Sequence, residues 1–291
     1  MRKIANKMKT AAVAASMLAF AAPAFAGGVT VAENGDSKLK MEGLFYLNTY
    51  QESVDPGAGA AKTDTIGLHT DRAYVTVKYI FNNDWNMRFT TDLANESTLG
   101  HRQNVYVKYA YLEGKLAGDQ AVLRIGQSHT PWIDHEEGLM HYRFIENTMG
   151  DKLNFDSSSD LGLGLYGKVA NGMVDYWFTE TNGHGYGNGA TSKTVDFDSR
   201  IGIHPIDGLE IAGQFRDGYR GTKTSANNGI KSTYYQVMID YGMDNFRVGA
   251  NYLNNKDDGK QAGNTFTSHG GNITSGFAVA AAPGLQVKST G

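Results

Sequence analysis

Between Arg72 and Phe81 the chain alternates: Ala73, Val75, Val77, Tyr79 and Phe81 fall on one face of an extended segment, and Arg72, Tyr74, Thr76 and Lys78 on the other. A period of two marks a β-strand, because successive side chains point to opposite faces. The next segment repeats the pattern, with Trp85, Met87, Phe89 and Leu93 opposed to Asn86, Arg88, Thr90 and Asp92, and Asn82-Asn83-Asp84 joins the two as a tight hairpin. The same period predicts twelve strands, near 38–50, 69–81, 85–94, 103–113, 121–128, 159–169, 173–180, 195–204, 209–219, 232–242, 245–254 and 270–280. Their connections alternate in length. Short turns fall at 82–84, 114–120, 170–172, 205–208 and 242–244, and long loops at 51–68, 95–102, 129–158, 181–194, 220–231 and 255–269. Pro56, Pro131, Pro205 and Pro283 all lie in connections, where a missing amide donor harms no ladder.

Soluble β-sandwiches also alternate, but strands of about 9 to 11 residues between alternating short turns and long loops are the signature of a membrane-spanning barrel. Aromatic residues gather at the short turns: Tyr79, Phe81 and Trp85 flank one, Tyr109 and Tyr111 precede another, and Tyr241 and Phe246 flank a third. An interfacial girdle sits at such positions. Arg2, Lys3, Lys7 and Lys9 precede an apolar run, and Ala24-Phe25-Ala26 supplies a small-x-small cleavage pattern, so residues 1–26 are expected to be a signal peptide. The expected organisation is then a periplasmic N-terminal segment at 27–37 and an all-β, antiparallel transmembrane β-barrel over 38–291, in the outer membrane of a Gram-negative cell.

Composition narrows the chemistry. The absence of cysteine among 291 residues excludes disulfide scaffolds, thiolate zinc sites, iron–sulfur ligation and c-type haem attachment. Taking the four leader bases from 27 leaves 23 basic against 30 acidic residues, a net charge of −7 that argues against nucleic-acid partners. The expected partners are outer-membrane lipid, small hydrophilic or anionic solutes and, as an assembly, two further copies in a homotrimer.

The run Arg72-Ala73-Tyr74-Val75-Thr76-Val77-Lys78-Tyr79 through Asp84-Trp85-Asn86-Met87-Arg88 resembles an early hairpin of Gram-negative porins related to the phosphate-selective porin O and P group. Leu123-Arg124-Ile125-Gly126-Gln127-Ser128-His129-Thr130-Pro131-Trp132 is similar to that group's strand leading into the third loop. The resemblance spans roughly residues 38 to 254 and implies a barrel and a pore more firmly than it implies phosphate. Barrels of this kind finish on a strand with a terminal aromatic, whereas this chain reads Leu285-Gln286-Val287-Lys288 as the start of a thirteenth strand and stops at Gly291. The expectation is a shortened chain whose parent has about 16 strands, with a 12-strand barrel as the alternative.

Parity assigns Lys40, Arg72, Lys78, Arg88, Lys108, Arg124, Lys168, Arg200, Arg216 and Arg247 to the inner wall, with the acids Glu42, Asp92, Asp175, Asp196, Asp198, Glu210 and Asp240. Guanidinium groups on low-dielectric walls focus a field on a passing anion and pair oxyanions bidentately. The alternative is that these bases are structural and paired with neighbouring acids. In porins the third loop folds inward. The matching loop, 129–158, is expected to hold a helix over Glu136–Met149 with Leu139, Tyr142, Ile145 and Met149 on one face, lying where Gly162 and Gly164 free space on the wall. Asp134, Glu136, Glu137, Arg143 and Glu146 are its candidate constriction residues, and the acidic balance sets a transverse field against the basic wall and opposes anion selectivity.

The function expected is passive diffusion of small hydrophilic solutes, with anions such as phosphate as a preference to test. A plugged structural or adhesin barrel is the alternative, and a barrel hydrolase a more remote one. No catalytic residues and no cofactor are expected. His135, Glu136, Glu137 and His141 could together hold a divalent metal, but their spacing departs from the H-E-x-x-H pattern, and no metal is expected there.

Overall fold

The computed structural model describes residues 28–54, 63–96, 102–140, 143, 147–186, 194–220, 230–243, 246–261, 264–282 and 285–290. Asn82 closes the first predicted hairpin. Its Oδ1 accepts the backbone N–H groups of Asp84 and Trp85, each at 2.9 Å, an Asx turn that reverses the chain without a glycine. A second reversal uses Gly208 at φ +78°, where a Cβ would lie 2.1 Å from the carbonyl oxygen of Gly242. Only glycine fits that approach.

Among the described residues fourteen strands form one sheet in sequence order, each antiparallel to its neighbours: β1 (Gly28–Asn34), β2 (Ser37–Val54), β3 (Thr63–Ile80), β4 (Trp85–Glu96), β5 (Arg102–Lys115), β6 (Val122–His129), β7 (Ser159–Val169), β8 (Val174–Thr181), β9 (Asp196–Ile206), β10 (Leu209–Arg220), β11 (Ile230–Met243), β12 (Phe246–Gln261), β13 (Asn264–Ala282) and β14 (Leu285–Thr290). The twelve predicted strands correspond to β2 through β13. Residues set apart as an N-terminal segment instead include β1, which pairs with β2 from Asn34↔Ser37 to Gly28↔Glu42. Leu285 does open a further strand, β14. β2 and β3 run 18 residues each, through much of the expected 51–68 loop. The signal-peptide segment, 1–26, lies outside the described residues.

Burial fixes which face is which. On β11, Ser232, Tyr234, Gln236, Met238 and Asp240 are buried, while Tyr235, Val237 and Ile239 are exposed. The exposed apolar set continues across the ladder, Ile203 opposite Ile211 and Ile211 opposite Ile239, and reappears as Ile125 opposite Leu163. A water-soluble sandwich buries its apolar face; here the polar face is inside and the apolar face outside. Large contiguous apolar surface is rare on soluble monomers, and alternation of apolar-out with polar-in is what a spanning barrel presents to lipid. The fold is an antiparallel transmembrane β-barrel. Tyr79 and Phe81, 4.9 Å apart edge to face, belong to its outer aromatic girdle at the short turns.

Tyr109 and Tyr111 do not. Both are buried on the inner face, because the pairing of β4 with β5 slips between Thr90 and Thr91, and this bulge turns Lys108 and Tyr109 inward together.

Candidate functional site

Pro131 and Trp132 end β6 and start a helix: the Trp132 carbonyl accepts the Glu136 N–H at 2.9 Å. Asp134 and Glu136 in the first turn suit its positive end. This α1 (Ile133–Met140) begins earlier than the expected Glu136–Met149 helix, and a separate short α2 (Met149–Lys152) follows. Tyr142, Ile145 and Glu146 lie outside the described residues. The buried residues of α1 are Ile133 and the carboxylate-bearing Glu136, so the expected apolar stripe is not what docks it. Trp132, fully buried, packs with Ala212 and Met238 of the wall, and Leu139 lies against them.

The segment is held from the wall by cations that donate to its oxygens. Arg200 Nε donates to the Pro131 carbonyl at 2.9 Å, Arg216 to the Phe155 carbonyl at 2.8 Å, Arg247 to the Leu139 carbonyl, and Lys108 to Ser158 Oγ. Neutral and acidic partners add to this. Gln214 donates to Asp156 at 2.9 Å, Asn251 to Glu136 at 3.1 Å, and His135 Nε2 lies 2.5 Å from Glu210 Oε1. Trp132 Nε1 donates to the other Glu136 oxygen at 2.7 Å. The loop therefore folds inward, held mostly by β9 to β12 and, through Lys108, by β5.

Six of the nine principal wall bases are ion-paired. Arg72 meets Asp92 at 2.8 Å, Lys78 meets Glu42 at 2.8 Å, Arg124 meets Glu113 at 2.6 Å, Arg216 meets Asp196 at 2.6 Å, Arg247 meets Asp240 at 3.3 Å, and Arg200 bridges Asp175 and Glu210. Arg88, Lys108 and Lys168 have no carboxylate in ion-pair contact among the described residues. Parity placed these bases, and the structural-pairing alternative describes most of them.

Between β4 and β8 the wall is aromatic as well as cationic. The Arg124 guanidinium lies 4.8 Å from the Tyr111 ring, 4.7 Å from Tyr166 and 5.0 Å from Trp177, and Arg88 lies 4.6 Å from Tyr109. His129 stacks on Tyr109 at 4.0 Å between centroids. At Gly164 a Cβ would sit 3.4 Å from Trp177 Nε1 and 3.8 Å from Arg124 Cβ, ordinary contacts with this group and not with the loop. Gly162 is required by backbone approach to β8, where a Cβ would meet the Glu180 carbonyl oxygen at 2.1 Å.

Of the loop acids, Asp134 accepts from Tyr109 at 3.2 Å and lies 3.3 Å from His129. Glu137 pairs with Arg143, which also reaches Asp151 at 3.5 Å. Burial pushes the Glu137 carboxyl up to about 7; the neighbouring Asp134 charge adds to this, and Arg143 and Arg72 oppose it. Burial likewise raises Asp134 against the pull of Lys108. His135, Glu136 and Glu137 turn to three different partners and form no joint metal site; His141 is outside the described residues.

This architecture is that of outer-membrane β-barrel proteins. The in-vitro folded trimer form of OmpT, an outer membrane protein of Vibrio cholerae, superposes with a TM-score of 0.56 at 15% identity, over 84% of this chain and 73% of that one. A loop L8 deletion mutant of the same protein gives 0.55 at 15% identity over 85% and 78%, and OmpF of Salmonella typhi, solved with daunomycin, gives 0.55 at 11% over 85% and 76%. At these identities the likeness is one of fold. A scan of protein-family models and a search of curated proteins both find no match.

Proposed function

We propose that the chain forms a water-filled passage through an outer membrane for small hydrophilic solutes, narrowed by the loop docked on β9 to β12. The observation that carries this reading is the inverted face pattern together with a loop held against the polar inner wall, chiefly by β9 to β12. Transport is passive, with no reaction step. The fold of the neighbours supports the outer-membrane location, and the trimer form of one of them supports assembly as a homotrimer. Phosphate preference has less support. Pairing of six wall bases cancels much of their field, and Arg88, Lys108 and Lys168 act against Asp134 and Glu137. We therefore favour a weakly selective passage over an oxyanion-specific one.

The test is single-channel recording of the mature chain in planar bilayers, where stepwise, ohmic conductance is expected. A correctly inserted protein that never conducts is a plugged barrel, and the proposal fails.

Selectivity should follow pH. Raising pH from 6 to 8 ionises Glu137, whose carboxyl titrates at about 7, and adds one negative charge per chain at the loop. The zero-current potential in a salt gradient is expected to move toward cations over that window. Glu137→Gln should reduce the movement, and an identical pH profile in that variant would assign the titration elsewhere.

A further inference from the structure

At the short-turn end of the inner wall, three adjacent strands bring unlike ligands together. Asp175 of β8, His204 of β9 and Glu210 of β10 each offer one donor atom, and these atoms all lie within 4.8 Å of one another. The local sequence builds this. His204 and Asp175 fall on the inward parity, and Gly202, opposite Asp175 in the ladder, is bare where a Cβ would lie 2.5 Å from Asp175 Oδ2. Glu210 sits at the slip in pairing of β9 with β10 between Leu209 and Ile211, the irregularity that re-aims a side chain.

The geometry points to a binding site for a divalent transition-metal ion of the zinc kind on His204, Asp175 and Glu210. One imidazole and two carboxylates suit such an ion, and three protein ligands leave a coordination position for water. His204 Nε2 lies 2.6 Å from Asp175 Oδ2, so the metal takes the place of the hydrogen as these two atoms part to let it in. Arg200 holds the other Asp175 oxygen, orienting the carboxylate in the way that outer partners orient metal ligands.

A second observation concerns the space beside the triad. His204 and Glu210 open on a cavity of about 570 Å³, also lined by Asp240, whose residue is 6% exposed and whose Oδ1 has no hydrogen bond, its charged neighbour being Arg247 Nε at 3.3 Å. That cavity gives the ion an entry path and supplies further negative potential. Glu210 is also the partner of His135 on α1, so metal capture competes for the acid that anchors the loop. The site does not depend on the protein being a pore.

The experiment titrates zinc chloride into the metal-stripped mature protein, folded in detergent and followed by calorimetry. One ion per chain is expected, with affinity falling about tenfold or more in His204→Ala and in Asp175→Asn, and unchanged in His184→Ala. No saturable binding by the wild type, or wild-type affinity in folded His204→Ala, would overturn the assignment. Should His204→Ala fail to fold, zinc X-ray absorption of the loaded wild type decides: a shell with one imidazole supports the site, and an all-oxygen shell refutes it.

Discussion

Replacing Arg200 with leucine is expected to destabilise the folded barrel by about 3–5 kcal/mol, the cost of removing one partner from a buried charge cluster. Arg200, Asp175 and Glu210 are 5%, 6% and 5% exposed, and the guanidinium contacts both carboxylates and the Pro131 carbonyl. Truncation leaves two buried anions with only His204 and His135 as partners and frees the start of the loop. Denaturant unfolding in lipid or detergent measures the loss. Arg200→Lys keeps the charge without the planar fork and should fall between wild type and leucine, because a single ammonium cannot serve both acids and the carbonyl together. Lys168→Ala, exposed beside the turn at 170–172, should lie within about 0.5 kcal/mol of wild type. A leucine variant as stable as the lysine-168 control would mean that the cluster does not hold the wall.

The strands were legible because a sheet with one apolar and one polar face writes its period directly into the chain, as between Arg72 and Phe81. Parity also put Arg72, Arg200 and Arg216 on the face where their partners Asp92, Asp175 and Asp196 are buried. It could not show that Arg72 would find Asp92 or that Arg124 would find Glu113, since those partners come from other strands and depend on register and tilt. Tyr109 was assigned to the girdle because a bulge shifts parity by one residue, and the sequence around Val107 to Tyr109 carries no glycine or proline to announce it. The helix starts three residues before the apolar spacing indicates, because Asp134 and Glu136 in its first turn mark the N-terminus better than that spacing does. The role of His204 was hidden for another reason. Its partners Asp175 and Glu210 lie on the strands on either side, so no local motif unites them.

Trp132→Ala is expected to loosen the loop and raise mean conductance and open-channel noise together. The indole is fully buried against Ala212 and Met238, its N–H is bonded to Glu136, and Leu139 covers it. Removing a buried tryptophan costs about 3–5 kcal/mol. Here that cost falls on docking of the segment, because its remaining anchors, such as Arg247 to Leu139 and Asn251 to Glu136, are polar contacts that water can replace. A loss of that size enlarges the undocked population by about a hundredfold or more. Trp132→Phe retains most of the apolar contact and should stay near wild type, separating packing from the lost hydrogen bond. Deleting residues 134–150 sets the upper limit for a wall without α1 on it. If Trp132→Ala and the deletion both conduct as the wild type does while folding normally, the loop does not narrow the passage, and the polar inner wall alone would set its size.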